Sequence, residues 1–347
     1  MPPVPHSVYD VLSTVHCSSR NIPSVPSILP SAALVRLAAN RIRPHVLRTP
    51  LVRSDALSAF LGGDVWLKCE CDQHTGSFKL RGAMNVLLQL DAAARARGVV
   101  ASSAGNHGAG IAAAAHALGI ACTVYVPSVA PAAKQDRIRA MGAAVDNTAP
   151  HYDAAEVLAR AHAARTGATF VNPCTGIELL AGQGTVALEI VGELPAVRTI
   201  ITNVGGGGLC GGMGGYLNDA APQVTLIGAQ SAHTDIMARA IASNAPADDA
   251  HLPTICDGLA GLVDEEMLAQ GRESLKRVAV SGEAAVRSTI AYLWVEEGIK
   301  VEGAGAAGVA ALLTGTAGEI DFPCAVVLSG GNIDPAVHAE ILKGNSE

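Results

Sequence analysis

Short apolar runs alternate with alanine-rich segments along most of this chain. Within the alanine-rich segments, apolar residues recur at helical spacing. This alternation predicts an α/β fold of mostly parallel twisted sheets flanked by helices, with ligands beyond the carboxyl ends of the strands. The predicted strands are 64–70, 98–102, 121–127, 143–147, 168–172, 199–205, 224–230, 300–305 and 324–331.

The same pattern predicts a division into two domains. Residues 1–30 are rich in proline and serine and have no regular period, so we expect an extended or disordered N-terminal arm. Ser31 is the expected N-cap of the first helix. We assign 31–96 together with 174–347 to a large ligand-binding domain, and 97–173 to a small domain.

Composition narrows the class of protein. The chain has 347 residues, of which 49% are hydrophobic and 16% charged, as in a globular enzyme. A net charge of −7 without a basic cluster argues against nucleic acid or an anionic membrane as partner. Singly spread cysteines and the lack of a secretory signal pattern or a long apolar run predict a cytoplasmic protein. With nucleic acid and membrane disfavoured, we expect a small-molecule substrate.

Lys79 is the first candidate for chemistry. It lies in the stretch GSFKLRGA (76–83), at the start of a helical run. A lysine that is desolvated or next to another cation loses its proton more easily and can form a Schiff base with an aldehyde. We expect Arg81 to supply that neighbouring charge. Taken alone, such a lysine would more often be a solvated side chain.

A second candidate is the run Gly205-Gly206-Gly207-Gly208-Leu209 between an apolar strand and a helix of small residues. Its backbone can approach an anion closely at a helix start, which favours a single phosphate. A dinucleotide site is an alternative because glycines 206, 208 and 211 fit G-x-G-x-x-G. That site needs an acidic residue after the next strand, where Gln230 stands, and leaves the lysine without a role. A purely structural glycine turn is the other alternative.

A reactive lysine and a cradle for one phosphate together indicate pyridoxal 5'-phosphate. Two further stretches fit this cofactor. SSAGNH (102–107) offers hydroxyls, an amide and backbone N–H groups between a strand and a helix. SGGN (329–332) follows the last apolar strand and places the neutral Ser329 hydroxyl where it could meet the pyridine nitrogen.

The chain resembles the fold-type II pyridoxal phosphate enzymes, in particular the serine/threonine dehydratase and serine racemase family. The resemblance covers about residues 35–335. It rests on GSFKLRGA, SSAGNHGAG, AGQGTVALEI (181–190), VGGGGL (204–209), CDGLA (256–260), VEGAGAAGVAAL (301–312) and SGGN.

The resemblance implies roles for individual residues. Lys79 would form the Schiff base and act as base at the substrate α-carbon, and Ser103 would be catalytic. The residues implied in cofactor binding are Phe78, Lys79, Asn106, Gly205, Gly206, Gly207, Gly208, Leu209, Glu302 and Ser329. The residues implied in binding the substrate carboxylate are Ser103, Asn106 and His107. The family also implies a homodimer or higher homo-oligomer. Because few residues follow SGGN, we expect no C-terminal regulatory domain.

The implied reaction is β-elimination of water from L-threonine or L-serine, giving a 2-oxo acid and ammonia. Alternative substrates are threo-3-hydroxyaspartate, phenylserine or an intermediate of hydroxyectoine breakdown. A distal carboxylate would require an added arginine, which these motifs do not place. Ala104, where similar racemases have a second serine, disfavours racemisation, and Gln230 disfavours a metal site. A cofactor-binding protein without lyase activity is the alternative from another class.

Overall fold

The computed structural model describes residues 27–248 and 252–344. Within these ranges the strands form two sheets, of six and four strands. The strands are β1 (Leu51–Ser54), β2 (Val65–Lys68), β3 (Val99–Ser102), β4 (Cys122–Pro127), β5 (Ala144–Ala149), β6 (Thr169–Phe170), β7 (Thr199–Asn203), β8 (Thr225–Ser231), β9 (Arg277–Ser281) and β10 (Cys324–Val327).

The helices of the described chain surround these sheets. They are α1 (Ala32–Ile42), α2 (Asp55–Leu61), α3 (Lys79–Leu88), α4 (Ala92–Arg97), α5 (Asn106–Ala117), α6 (Ala132–Ala140), α7 (Tyr152–Thr166), α8 (Ile177–Glu193), α9 (Gly208–Ala220), α10 (Ile236–Ser243), α11 (Glu265–Ser274), α12 (Glu283–Glu297), α13 (Gly303–Leu313) and α14 (Pro335–Gly344). None of them is both long and apolar enough to span a membrane.

The larger sheet has the order β1-β2-β10-β7-β8-β9, and β1 is its antiparallel edge. Successive residues of β10 point to opposite faces. Cys324 and Val326 belong to a core with α12 and α13, whereas Ala325 and Val327 belong to a core with α8 and α9. A strand buried on both faces must be apolar at every position, which explains its continuous apolar run.

The smaller sheet, β5-β4-β3-β6, is entirely parallel and also lies between two layers of helices. Val99 and Ala101 pack with α3 and α5, and Val100 packs with α7. The predicted α/β architecture is therefore confirmed. The small sheet falls between residues 99 and 170, inside the segment that we assign to the small domain.

The first helix begins as expected, because the Ser31 side chain accepts a hydrogen bond from the Leu34 N–H. Leu29 and Pro30 are already buried, so the packed part of the chain begins before Ser31. Most of the arm predicted over 1–30 lies outside the described residues.

The strand predicted at 300–305 is wrong. The Glu302 N–H donates to the Gly330 carbonyl, and α13 begins at Gly303. Strands β2 and β7 already occupy both edges of β10, so this segment has no edge of β10 to join. Strands β1 and β9, at the two ends of the sheet, were not predicted.

Candidate active site

Four loops meet where strands of both sheets end. They follow β2, β3, β7 and β10, and they carry Lys79, Ser103, the glycine run and Ser329. Because these strands are mutually parallel within each sheet, their carboxyl ends lie at one edge. Candidate residues more than two hundred positions apart are thereby brought together.

Lys79 is the first residue of α3, and its Nζ donates to the Pro173 carbonyl at 2.8 Å. The amine lies 5.2 Å from the centroid of the Phe78 ring. The preceding residues are tied to the loop after β10, since the Phe78 N–H donates to the Ser329 carbonyl at 3.1 Å. The lysine is therefore held at a defined place and is not on a mobile surface arm.

Arg81 does not supply the free positive charge expected beside Lys79. Its guanidinium is fully buried and forms ion pairs with Glu70 at 2.8 Å and with Glu189 at 2.7 Å. Burial by itself would lower the pKa of Arg81, but these two carboxylates outweigh it and raise that pKa. The sequence hypothesis was wrong because local spacing does not reveal the two carboxylates that neutralise Arg81.

The glycine run enters α9 with positive φ at Gly207, at 91°. Added side chains would meet close neighbours on both sides of it. A Cβ on Gly206 would lie 2.7 Å from the Cys174 Sγ, and one on Gly208 would lie 3.3 Å from the Pro173 carbonyl. Leu209 is buried in the core, which leaves its backbone N–H as the part that can face a ligand.

The lysine and the glycine run thus share one neighbour. The Pro173 carbonyl accepts the hydrogen bond from the Lys79 amine and also limits the space at Gly208. No described side chain caps the start of α9, so its N–H groups can bind an anion. The Lys79 amine and the anion cradle both adjoin the Pro173-Cys174 dipeptide. This arrangement suits a small molecule with an aldehyde at one end and a phosphate at the other.

Ser329 is buried beyond the end of β10, and its Oγ accepts a hydrogen bond from the Asn203 amide at 3.0 Å. The Asn203 side chain also donates to the Val327 carbonyl and accepts from the Gly308 N–H. The amide therefore fixes the Ser329 oxygen as an acceptor. Its hydroxyl proton is left to donate to a ring nitrogen.

Asn106 occupies the first turn of α5 and lies between two partners. Its Nδ2 donates to the Glu302 carboxylate at 2.6 Å, and its Oδ1 accepts from Asn332 at 2.7 Å. One N–H of the amide remains for a ligand oxygen. Burial, followed by the charge of Asp257, raises the pKa of Glu302 to about 7.

Ser103 is half-buried, and its Oγ accepts a hydrogen bond from the Gly105 N–H at 3.1 Å. Its hydroxyl proton remains available to a substrate carboxylate. His107 is placed differently from the expectation, because its imidazole is buried and its Nε2 bonds to the Val171 carbonyl at 3.0 Å. Burial, and then the charge of Lys79, lowers its pKa to about 3, so the ring is neutral. Carboxylate binding by His107 remains a prediction for its backbone N–H.

Residues 42–330 match the family described as pyridoxal-phosphate dependent enzyme. The chain belongs to this family. It is 38% identical over 307 residues to the L-threonine ammonia-lyase of Thermotoga maritima, a match that covers 86% of this chain and 75% of that protein. It is 32% identical over 313 residues to the serine racemase of Oryza sativa subsp. indica, covering 89% and 92%.

Solved structures agree with this membership. A threonine deaminase from T.th. superposes with a TM-score of 0.80 at 31% identity, covering 88% of this chain and 99% of that one. Maize serine racemase gives a TM-score of 0.83 at 29% identity, covering 92% and 98%. The fold is accordingly fold-type II and the cofactor is pyridoxal phosphate, as the motifs predicted.

Both the family membership and the contacts of Gln230 argue against a dinucleotide site. The Gln230 Nε2 donates to the Val204 carbonyl at 3.0 Å, and its Oε1 accepts from the Ala238 N–H. This fully buried side chain is committed to backbone groups and cannot hold a ribose.

Sequence reasoning missed three contributors to the site. Asn332 and Asn203 position the neighbouring polar groups, and Pro173 supplies the carbonyl that holds the lysine. Asn332 ends the SGGN motif, so its residue type was a usable signal. Pro173 carried none, because a backbone carbonyl acts regardless of its side chain.

Proposed function

We propose that this chain is an ammonia-lyase that eliminates water from L-threonine or L-serine and yields a 2-oxo acid and ammonia. The observation that carries the proposal is the Lys79 amine bonded to the Pro173 carbonyl, which also bounds the glycine cradle. The similarity to L-threonine ammonia-lyases, at 38% and 35% identity, supports this reaction.

Each residue has a task in this reaction. Bound pyridoxal phosphate supplies an electron sink for the charge left at the α-carbon. Lys79 removes the α-proton, from a position set by the first turn of α3. The Ser103 hydroxyl and the N–H groups at the start of α5 bind the substrate carboxylate. One water leaves from the β-carbon, and one is consumed when the released enamine hydrolyses to oxo acid and ammonia.

The remaining residues orient the cofactor in this proposal. The cradle at 205–208 and the Leu209 N–H would hold the phosphate, and Phe78 would lie beside the ring. Ser329 would donate to the pyridine nitrogen, because Asn203 keeps its oxygen as an acceptor. Asn106 would donate its free N–H to the phenolic oxygen, with Glu302 beside it.

The test measures 2-oxo acid and ammonia released by the holoenzyme from L-threonine, L-serine, threo-3-hydroxyaspartate and phenylserine. Lys79→Ala is expected to lower the rate by about 100-fold or more, because it removes the base. Lys343→Ala, at an exposed position on α14, is the matched control and should not differ from wild type. A holoenzyme that forms no 2-oxo acid from any of these compounds would refute the lyase proposal.

We further propose a cytoplasmic homodimer or higher homo-oligomer with separate large and small domains. The seven cysteines within the described residues are free thiols, which suits a reducing compartment. Trp294 and Val295 on α12 are 43% and 70% exposed, which suits a subunit contact. Light scattering of the purified protein tests the assembly, and a monomer at micromolar concentration would contradict it.

A further inference from the structure

Arg137 comes from the small sheet's side of the molecule and reaches the loop that carries Lys79. It lies on α6, and its Nη2 donates to the Thr75 carbonyl. Its side chain is half-buried. No motif of the sequence pointed to this residue, because α6 has no strong apolar periodicity and its other arginine is exposed.

The Thr75 carbonyl belongs to the hydrogen-bonded chain of the active site. It also accepts from the Asn332 amide at 3.0 Å, and the same amide donates to the Asn106 Oδ1 at 2.7 Å. Asn106 in turn donates to Glu302. Arg137 therefore stands at one end of a connected set that includes two predicted cofactor residues.

The charge of Arg137 is not matched by an ion pair within residues 27–248 and 252–344. Among the described residues no carboxylate lies within 4.0 Å of its guanidinium, whereas Lys134 on the same helix pairs with Asp257. Burial lowers the pKa of Arg137, and the more distant charge of Glu302 opposes that effect. The guanidinium remains charged, and only one acceptor from the described part of the chain is bonded to its five N–H donors.

A partly desolvated guanidinium with spare donors, connected through Thr75 and Asn332 to Asn106, is suited to a planar anion. Arginine binds carboxylates in a bidentate manner, and such charge-assisted bonds are about twice as strong as neutral ones. In the proposed function, the Ser103 hydroxyl and the N–H groups at the start of α5 already bind the α-carboxylate of the substrate. The additional anion would therefore be a group on the substrate side chain.

We propose that Arg137 is a specificity-determining residue that receives a carboxylate on the side chain of the substrate. This inference rests on the lyase function proposed above. Beyond L-threonine and L-serine, the substrate class is then β-hydroxy amino acids with a second carboxylate. The smallest of these is threo-3-hydroxyaspartate, and its products are oxaloacetate and ammonia. A purely structural contact between α6 and the Thr75 loop would affect all substrates alike.

The first measurement is kcat/KM of the holoenzyme for threo-3-hydroxyaspartate and for L-threonine, in wild type and Arg137→Gln. The ratio of the two values should fall about 10- to 100-fold in the variant, because one charge-assisted interaction is lost for one substrate only. Arg139→Gln is the matched control. Arg139 is on the same helix but is exposed and pairs with Asp136, so the ratio should stay at the wild-type value.

The second measurement is calorimetric binding of succinate and butyrate to the same holoenzymes, which requires no turnover. Wild type should bind the dicarboxylate more tightly, and Arg137→Gln should remove that preference. An unchanged substrate ratio together with an unchanged succinate preference would overturn the proposal. If no substrate gives a 2-oxo acid, the lyase function fails, and the succinate comparison still decides the role of Arg137.

Discussion

Arg81 and Arg137 approach the Lys79 loop from two regions that handle charge differently. Arg81 lies in an ionic cluster between β2, α3 and α8, where Lys68, Glu70 and Glu189 complete the pairing. Arg137 lies on α6 beside the Thr75 loop, with one backbone acceptor and no ion pair among the described residues. Both arginines lie close to the loop that precedes Lys79, yet among the described residues only Arg81 is neutralised by carboxylates.

The difference follows from how deeply each arginine is buried. In the ionic cluster Arg81 and Lys68 are fully buried, so an unpaired charge there would be very costly. Burial would raise the pKa of Glu70, but the charges of Arg81 and Lys68 outweigh it and lower that pKa. At Arg137, N–H donors without partners among the described residues are retained, and we infer that a ligand completes them. Balanced buried charge therefore marks the scaffold, and unbalanced charge marks the binding surface.

The largest expected effect is in the ionic cluster. Arg81→Met should lower the free energy of unfolding by about 3–5 kcal/mol, because it leaves the buried Glu70 and the largely buried Glu189 short of a partner. Urea unfolding of the purified protein measures this loss. Arg53→Met, which breaks exposed pairs with Asp55 and Asp64, is the control and should cost no more than about 1 kcal/mol. Equal losses in the two variants would contradict the comparison.

The next effect is on the stability of the folded state, and it depends on pH through Glu302. The pKa of Glu302 is raised from 4.5 to about 7, so the folded state holds a proton that the unfolded state releases. Stability is consequently lost as pH rises from 4.5 to 7, by about 3 kcal/mol in total. Glu302→Gln, which can still accept from Asn106, should remove this loss.

The measurement is the melting temperature of cofactor-free wild type and Glu302→Gln at about pH 4.5 and about pH 8, on either side of the raised pKa. The variant should melt higher than wild type at the upper pH, and the gap should narrow at the lower one. A difference in melting temperature that is constant with pH would show that the pKa of the Glu302 carboxyl is not raised.

The smallest of the three effects concerns the cradle. Gly207→Ala places a side chain at a φ of 91°, which costs about 1–2 kcal/mol and should weaken cofactor binding by about 10-fold. Titration of the apoprotein with pyridoxal phosphate, followed by absorbance, measures the change. Gly192→Ala, at a helical position with open space around it, should bind the cofactor as wild type does.

The order of residues was enough to establish the architecture and the cofactor. Strands buried on both faces must be apolar throughout, and a phosphate cradle of this kind needs glycines at a helix start, so both features were visible in local composition. Lys79 could be placed for the same reason, since it opens a helix directly after the GSF turn. The predicted roles of the site residues remain proposals about the bound cofactor and substrate.

The folded chain was needed to see which charges are compensated. Arg81 meets Glu189 across 108 positions, Asn332 meets Asn106 across 226, and Arg137 meets the Thr75 carbonyl across 62. Electrostatic energy depends on distance and burial in space, and neither is encoded in the spacing of one motif. The motifs could therefore identify the cofactor site, whereas the scaffold role of one arginine and the substrate role proposed for the other emerged only from the packing of distant segments.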